Sequence, residues 1–232
     1  MKKYLFLAVS CLVALSSCNF AKPYTITGGF NVPEEFDLGD TIIQRGPLDG
    51  GYVYMLDLDG TPVDSALIED ETFIFEGKIS QKDAYFAYIA SDYAYGIIAV
   101  EPGDINLTIG QQIVAYGTPT NDAINDVDSQ IDELAQDFSE KMMSYVGEDN
   151  VAPSDSIIMP IYLDFNNKCE SLLDSLYECN KDNLVGIYIV NIKTSSAQTL
   201  EEFESMLEGY DEYITQSDVM NARRAYFNER TY

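Results

Sequence analysis

The sequence contains no histidine and no tryptophan among its 232 residues. Without histidine there is no Ser-His-Asp or Cys-His nucleophile and no imidazole ligand for a metal. Four cysteines are present, at positions 11, 18, 169 and 179, and no two of them form a Cys-x-x-Cys pair. Bases are scarce too: thirteen lysines and arginines stand against 39 acids, a formal charge of -26. Such a polyanion repels phosphate backbones and anionic lipid, which excludes a nucleic-acid-binding role. The acidity serves solubility first; binding of divalent cations or of a basic partner is the competing reading. Long apolar runs are missing as well. The longest, Tyr4 to Leu15, is too short to anchor a chain across a bilayer.

That run follows Lys2 and Lys3 and ends in Leu15-Ser16-Ser17-Cys18. A basic start, a short apolar stretch and small residues describe a cleavable signal peptide. The ending resembles the lipobox of bacterial lipoproteins, which implies that residues 1–17 are removed and that Cys18 is the lipidated first residue. Removal leaves eleven bases against 39 acids, or -28. Residues 18–23 then form a short tether, and acyl chains hold an acidic body at a membrane surface. Asn19, in place of an aspartate that would resemble an inner-membrane retention signal, favours the outer membrane. The absence of an acidic run after Cys18 favours its periplasmic face. A plain secretory peptide is the competing reading.

Residues 24–118 have period two. YTITGGF, YVYMLDL, DSALI, TFIFEGKI, DAYFAYIA, YGIIAV, INLTIG and QIVAYG are short and rich in β-branched and aromatic residues, with Gly, Pro, Asp and Asn between them. Eight such strands predict an antiparallel sandwich or open barrel. Asn31 to Gly51 reads as a long loop with one added strand at Thr41–Gln44. Val63 to Gly77, VDSALIEDETFIFEG, reads as a hairpin. From 119 to 232 the period changes. Ile124, Val127, Ile131, Leu134, Phe138, Met142 and Tyr145 predict one helix, and Ile158 to Cys179 a second with Pro160 in its first turn. Asn183 to Ile192 is apolar all round and fits a buried helix or a strand; helical neighbours favour helix. Thr199-Leu200-Glu201-Glu202 is a capping-box start, and a last helix begins near Ser217. The predicted class is α+β: a β-sandwich or open barrel followed by an α-helical region.

YTITG at Tyr24, YVYMLD, VDSALIEDETFIFEGKI, AVEPGDINLTIG and YGTPTNDAIND together resemble domain of unknown function 4369, over roughly residues 24–125. In many envelope lipoproteins of a Gram-negative phylum this domain precedes helices and a thioredoxin-like domain. The resemblance implies an envelope location and a hairpin-rich scaffold. This sequence ends at Tyr232 without the thioredoxin motif, so the activity of those relatives is not implied for it.

Few residues remain as candidates for chemistry. Cys169 and Cys179 lie ten residues apart on one predicted helix, about 15 Å of rise, too far for a bridge; both are expected as buried, inert thiols. Asp57, Asp59 and Gly60 echo a calcium loop, but Ala66 stands where its glutamate belongs. Asn121, Asp122, Asn125, Asp126 and Asp128 crowd a helix start, where acids are at home. Paired carboxylates for glycoside hydrolysis are not distinguishable among 39 acids. Tyr93 and Tyr95 share one face by period two and are the candidate partner-binding residues. No catalytic residue, metal ligand or cofactor is predicted. The reading is a non-catalytic envelope lipoprotein that binds another envelope protein, attached to the membrane by Cys18. The alternatives are an accessory to a separate thioredoxin-like protein and a carboxylate hydrolase.

Overall fold

The structure, a computed structural model, describes residues 20–37, 42–145 and 154–230. Cys18, the signal segment and Thr41 lie outside the described residues. The chain divides into two compact units at Asp122/Ala123.

The first unit holds ten described strands: β1 (Lys22–Phe30), β2 (Glu35–Asp37), β3 (Ile42–Gln44), β4 (Tyr52–Leu56), β5 (Pro62–Leu67), β6 (Thr72–Ile79), β7 (Tyr85–Ala90), β8 (Tyr95–Val100), β9 (Gly103–Ile109) and β10 (Ile113–Tyr116). They form a sheet β10-β9-β1-β6, a second sheet β5-β4-β7-β8, and the small pair β2-β3. Period-two alternation turns Ile26, Phe75, Ile105 and Leu107 of one sheet toward Val53, Met55, Ile89 and Ile98 of the other, and these make a single core. At Gly28 the Phe73 ring occupies the space of the missing Cβ, 1.9 Å from where that atom would stand.

Three features depart from a simple run of hairpins. Among the described strands all pairs are antiparallel except β1 with β9, which run parallel with Ile26 opposite Ile105. β2 supplies the partner that the expected β3 needs. The third departure is the stretch Val63 to Gly77, which is not a hairpin. Glu69 and Thr72 exchange backbone hydrogen bonds around a tight turn in which Asp70 and Glu71 both have positive φ, 50° and 57°. Beyond that one bridge the strands part, β5 to one sheet and β6 to the other. The turn is a corner between the layers. Glu71 also holds the Arg45 guanidinium at 2.8 Å, and its N–H donates to Asp49 Oδ1.

Helix α1 (Pro119–Ser144) begins in the first unit. The second unit continues with α2 (Asp155–Asn180), α3 (Leu184–Lys193), α4 (Leu200–Met206), α5 (Glu212–Thr215) and α6 (Asp218–Glu229). Val127, Leu173, Val185 and Ile189 form one cluster of α1, α2 and α3. Phe138 of α1 meets Tyr162 and Phe165 of α2. The ambiguous segment 183–192 is helical because Asn183 caps it. Its side chain accepts from the N–H of Val185 and of Gly186. Gly186 has no Cβ where the Asn180 carbonyl would be 2.3 Å away. At the other end of α3, Arg223 donates to the carbonyls of Asn191 and Thr194 and lies over the Phe203 ring, which suits the negative end of a helix dipole. Pro160 is the sixth residue of α2, one turn later than expected. The cap of α4 is where the sequence puts it: Thr199 accepts from Glu202 N–H, while the Glu202 carboxylate reaches one residue further back and accepts from Gln198 N–H.

Candidate functional site

Alternation along β4 buries Val53 and Met55 and turns Tyr52 and Tyr54 outward, 50% and 43% exposed. Pairing continues the pattern across the sheet. Ser65, Tyr54, Ala90 and Tyr95 share one outer row, and Leu67 with Tyr52 form the next. Tyr95 is 58% exposed and stacks on Tyr88 at 4.6 Å; the Tyr52 and Tyr54 rings are 6.2 Å apart. Burial, with Tyr88 beside it, raises the Tyr95 phenol above its ordinary pKa. Neighbouring strands are about 4.8 Å apart, so an ordered tyrosine face crosses β4, β7 and β8.

Tyr93 is not part of it. The residues Ser91–Ala94 turn between β7 and β8, with Ser91 Oγ accepting from the N–H groups of Tyr93 and Ala94. The turn breaks the two-residue period, and Tyr93 packs on the sandwich core, edge-on to Phe30 at 6.2 Å. Tyr93 and Tyr95 therefore do not share a face. Tyr52, Tyr54 and Tyr88 were legible as strand tyrosines, but which sheet face they occupy depends on strand pairing.

Several members of the acidic clusters are engaged within the fold. Asp57 and Asp59 accept backbone N–H groups of the β4–β5 turn, where Gly60 has φ of 86°. The buried Glu101 carboxylate accepts from Thr120 N–H at 2.7 Å, from its hydroxyl at 2.8 Å, and from Gln81 Nε2 at 3.0 Å. Asn121 pairs with the backbone of Ala99 on β8, and Asp122 accepts from Gly117 N–H. In the helical unit, Tyr188 donates to Asp128 at 2.7 Å. Burial raises the Asp128 carboxyl above the ordinary aspartate range, against the lowering by that hydrogen bond. Burial and the same partner raise the Tyr188 phenol far above its usual value. Asp137 and Asp164 share the ammonium groups of Lys141 and Lys168.

A groove of about 940 Å³ beside α2 is lined by Tyr162, Cys169, Asp174, Tyr177, Lys193 and Tyr210. Lys193 is engaged by Asp174 and lies over the Tyr210 ring at 6.0 Å. Cys169 is half-buried, which pushes its thiol pKa up and makes a poor nucleophile. Cys179 is exposed rather than buried: it lies toward the solvent side of α2, where the stripe extrapolated from Ile158 has drifted off the core.

Residues 39–124 match the family described as Domain of unknown function (DUF4369). Over these residues the chain is similar to DUF4369. The folded unit that holds them is larger than the matched segment, because β1 precedes residue 39 yet lies between β6 and β9. No curated protein and no solved structure matches the chain.

Proposed function

We propose that this protein is a non-catalytic lipoprotein of the cell envelope that binds another envelope protein through the tyrosine face of its DUF4369-like unit. The observation that carries the reading is the ordered row of Tyr54 and Tyr95 on the solvent side of the sheet, flanked by Tyr52 and Tyr88. Tyrosine supplies large contact area with two rotatable side-chain bonds and a polar tip, and an exposed aromatic patch of this kind suits a protein partner. The N-terminal sequence supports lipidation at Cys18, attaching the chain to the outer membrane with the body in the periplasm. The lack of histidine and of a Cys-x-x-Cys pair supports a binding role over hydrolytic or redox chemistry.

Crosslinking of the tagged full chain in intact envelopes tests this. Wild type is expected to recover a specific partner, Tyr54→Ser/Tyr95→Ser to lose it by tenfold or more, and Cys18→Ala to lose both the partner and the membrane fraction. Equal recovery by the tyrosine variant would sink the tyrosine-face reading.

A further inference from the structure

Beside the tyrosine face lies an unpaired sheet edge. Among the described strands β5 is paired only with β4. Ile68 N–H donates to Gly51 O at 3.0 Å. The alternation of an antiparallel ladder then directs the amides of Ala66 and Asp64 toward β4, and those of Leu67 and Ser65 away from it. Ser65 confirms the register independently: its N–H donates at 2.7 Å to Asp64 Oδ1, not to β4. Both strand neighbours on the outer side, Val63 and Leu67, are exposed apolar residues. Natural proteins usually blunt such an edge. Here the blunting is a single exposed carboxylate hydrogen-bonded to its own chain, with Pro62 at the strand start.

Charge identifies what fits. Between Gly46 and Glu71 there are seven acids and no base. Arg45, just before this stretch, is held by Glu71. A second copy of the chain would bring its own Asp64 and flanking acids against these, and like charges across a strand pair are destabilising.

We propose that the free edge of β5 is a docking strand for an extended, lysine- or arginine-bearing segment of a partner protein. The segment adds as a fifth strand and takes the N–H and C=O groups of Ser65 and Leu67. Asp64 exchanges the Ser65 amide for a cationic side chain of the incoming strand. Alternate side chains of that strand reach across Leu67 and Ser65 toward the faces of Tyr52 and Tyr54, where a cation is attracted by the ring. This deepens the tyrosine-face reading and rests on it.

The test uses the full chain and three fluorescein-labelled ten-residue peptides, capped at both ends. One alternates lysine and valine, one alternates glutamate and valine, and one is the lysine peptide with alternate backbone amides N-methylated. The lysine peptide is expected to bind at least tenfold tighter than either control. Its binding should weaken with added salt and slow amide exchange at Ser65 and Leu67. Ser65→Pro, which removes an outward N–H without touching the β4 ladder, is expected to lose tenfold or more in affinity. If that variant fails to fold, the N-methylated peptide tests the same bonds from the ligand side. Three results would overturn the proposal: no preference for the lysine peptide, indifference to N-methylation, or protection elsewhere on the chain. Protection of Ser65 and Leu67 that grows with protein concentration in the absence of peptide would assign the edge to a second copy instead. Envelope crosslinking separates the two readings. A partner kept by Ser65→Pro but lost by Tyr54→Ser/Tyr95→Ser sinks the edge alone, whereas a partner kept by both sinks the face as well.

Discussion

Asn121 acts as a strand neighbour for Ala99. Its Nδ2 donates to the Ala99 carbonyl at 2.9 Å, and its Oδ1 accepts from the Ala99 N–H at 3.0 Å. Both residues are buried, so the side-chain amide at the start of α1 completes the ladder of β8 where no strand does. Thr118 Oγ1 accepts the second Nδ2 hydrogen.

Asn121→Ala is expected to cost about 2–4 kcal/mol in urea unfolding, since it leaves a buried N–H and C=O without partners. Asn121→Asp keeps the acceptor, loses the donor and places a carboxylate against the Ala99 carbonyl, so it is expected to be no better than alanine. A loss below about 0.5 kcal/mol for both would show that water replaces the amide.

Burial raises Asp128 against the pull of its hydrogen bond, and burial together with Asp128 raises Tyr188, so this pair makes stability depend on pH at both ends. The raised folded pKa of Asp128 means that the folded state holds its proton more tightly than the unfolded chain. That contribution is fully present below the ordinary aspartate value and is lost as pH rises through the raised one. Tyr188 is likewise raised, so its contribution persists through neutral pH and is lost only on the alkaline side of the ordinary tyrosine value. Asp128→Asn is expected to remove the acid-side dependence while keeping an acceptor for the hydroxyl. Tyr188→Phe is expected to remove the alkaline loss at a cost of about 1 kcal/mol near neutrality. Melting temperatures recorded from pH 4 to pH 11 check both.

Gly28→Ala should destabilise the sandwich by about 1–3 kcal/mol, because the new methyl group must displace the Phe73 ring. Gly28→Ala with Phe73→Leu is expected to cost less than the two single changes together. Additive costs in that cycle would place the strain elsewhere.

At the corner between β5 and β6, Asp70 holds a left-handed conformation that costs an ordinary residue about 1–2 kcal/mol. Asp70→Gly is expected to raise stability by about 0.5–1 kcal/mol. Glu71→Gly relieves the same strain but strips Arg45, whose side chain is only 9% exposed, of its carboxylate; it is expected to lose stability. The order of thermal midpoints, Asp70→Gly above wild type above Glu71→Gly, checks the balance.

By itself the sequence determined the class of most segments, though it left 183–192 open between helix and strand and hid β2 in a stretch that reads as loop. β-branched and aromatic residues at period two make strands, apolar residues at steps of three and four make helices, and Asn183, Thr199 and Ser217 cap helices where their side chains reach free N–H groups. These are local effects, decided within one or two turns of chain. Partnership is not local. The stretch Val63 to Gly77 has the alternation and tight turn of a hairpin, yet β5 and β6 enter different sheets, because alternation records that one face is buried without recording against what. The pair Tyr93 and Tyr95 shows the same limit: two residues of spacing put them on one face only while the backbone stays extended, and the Ser91–Ala94 turn ends that condition. The tyrosine face and the open edge of β5 exist only once strand order is set. Strand order follows from which apolar faces close one common core, a property of the whole unit and of no segment within it.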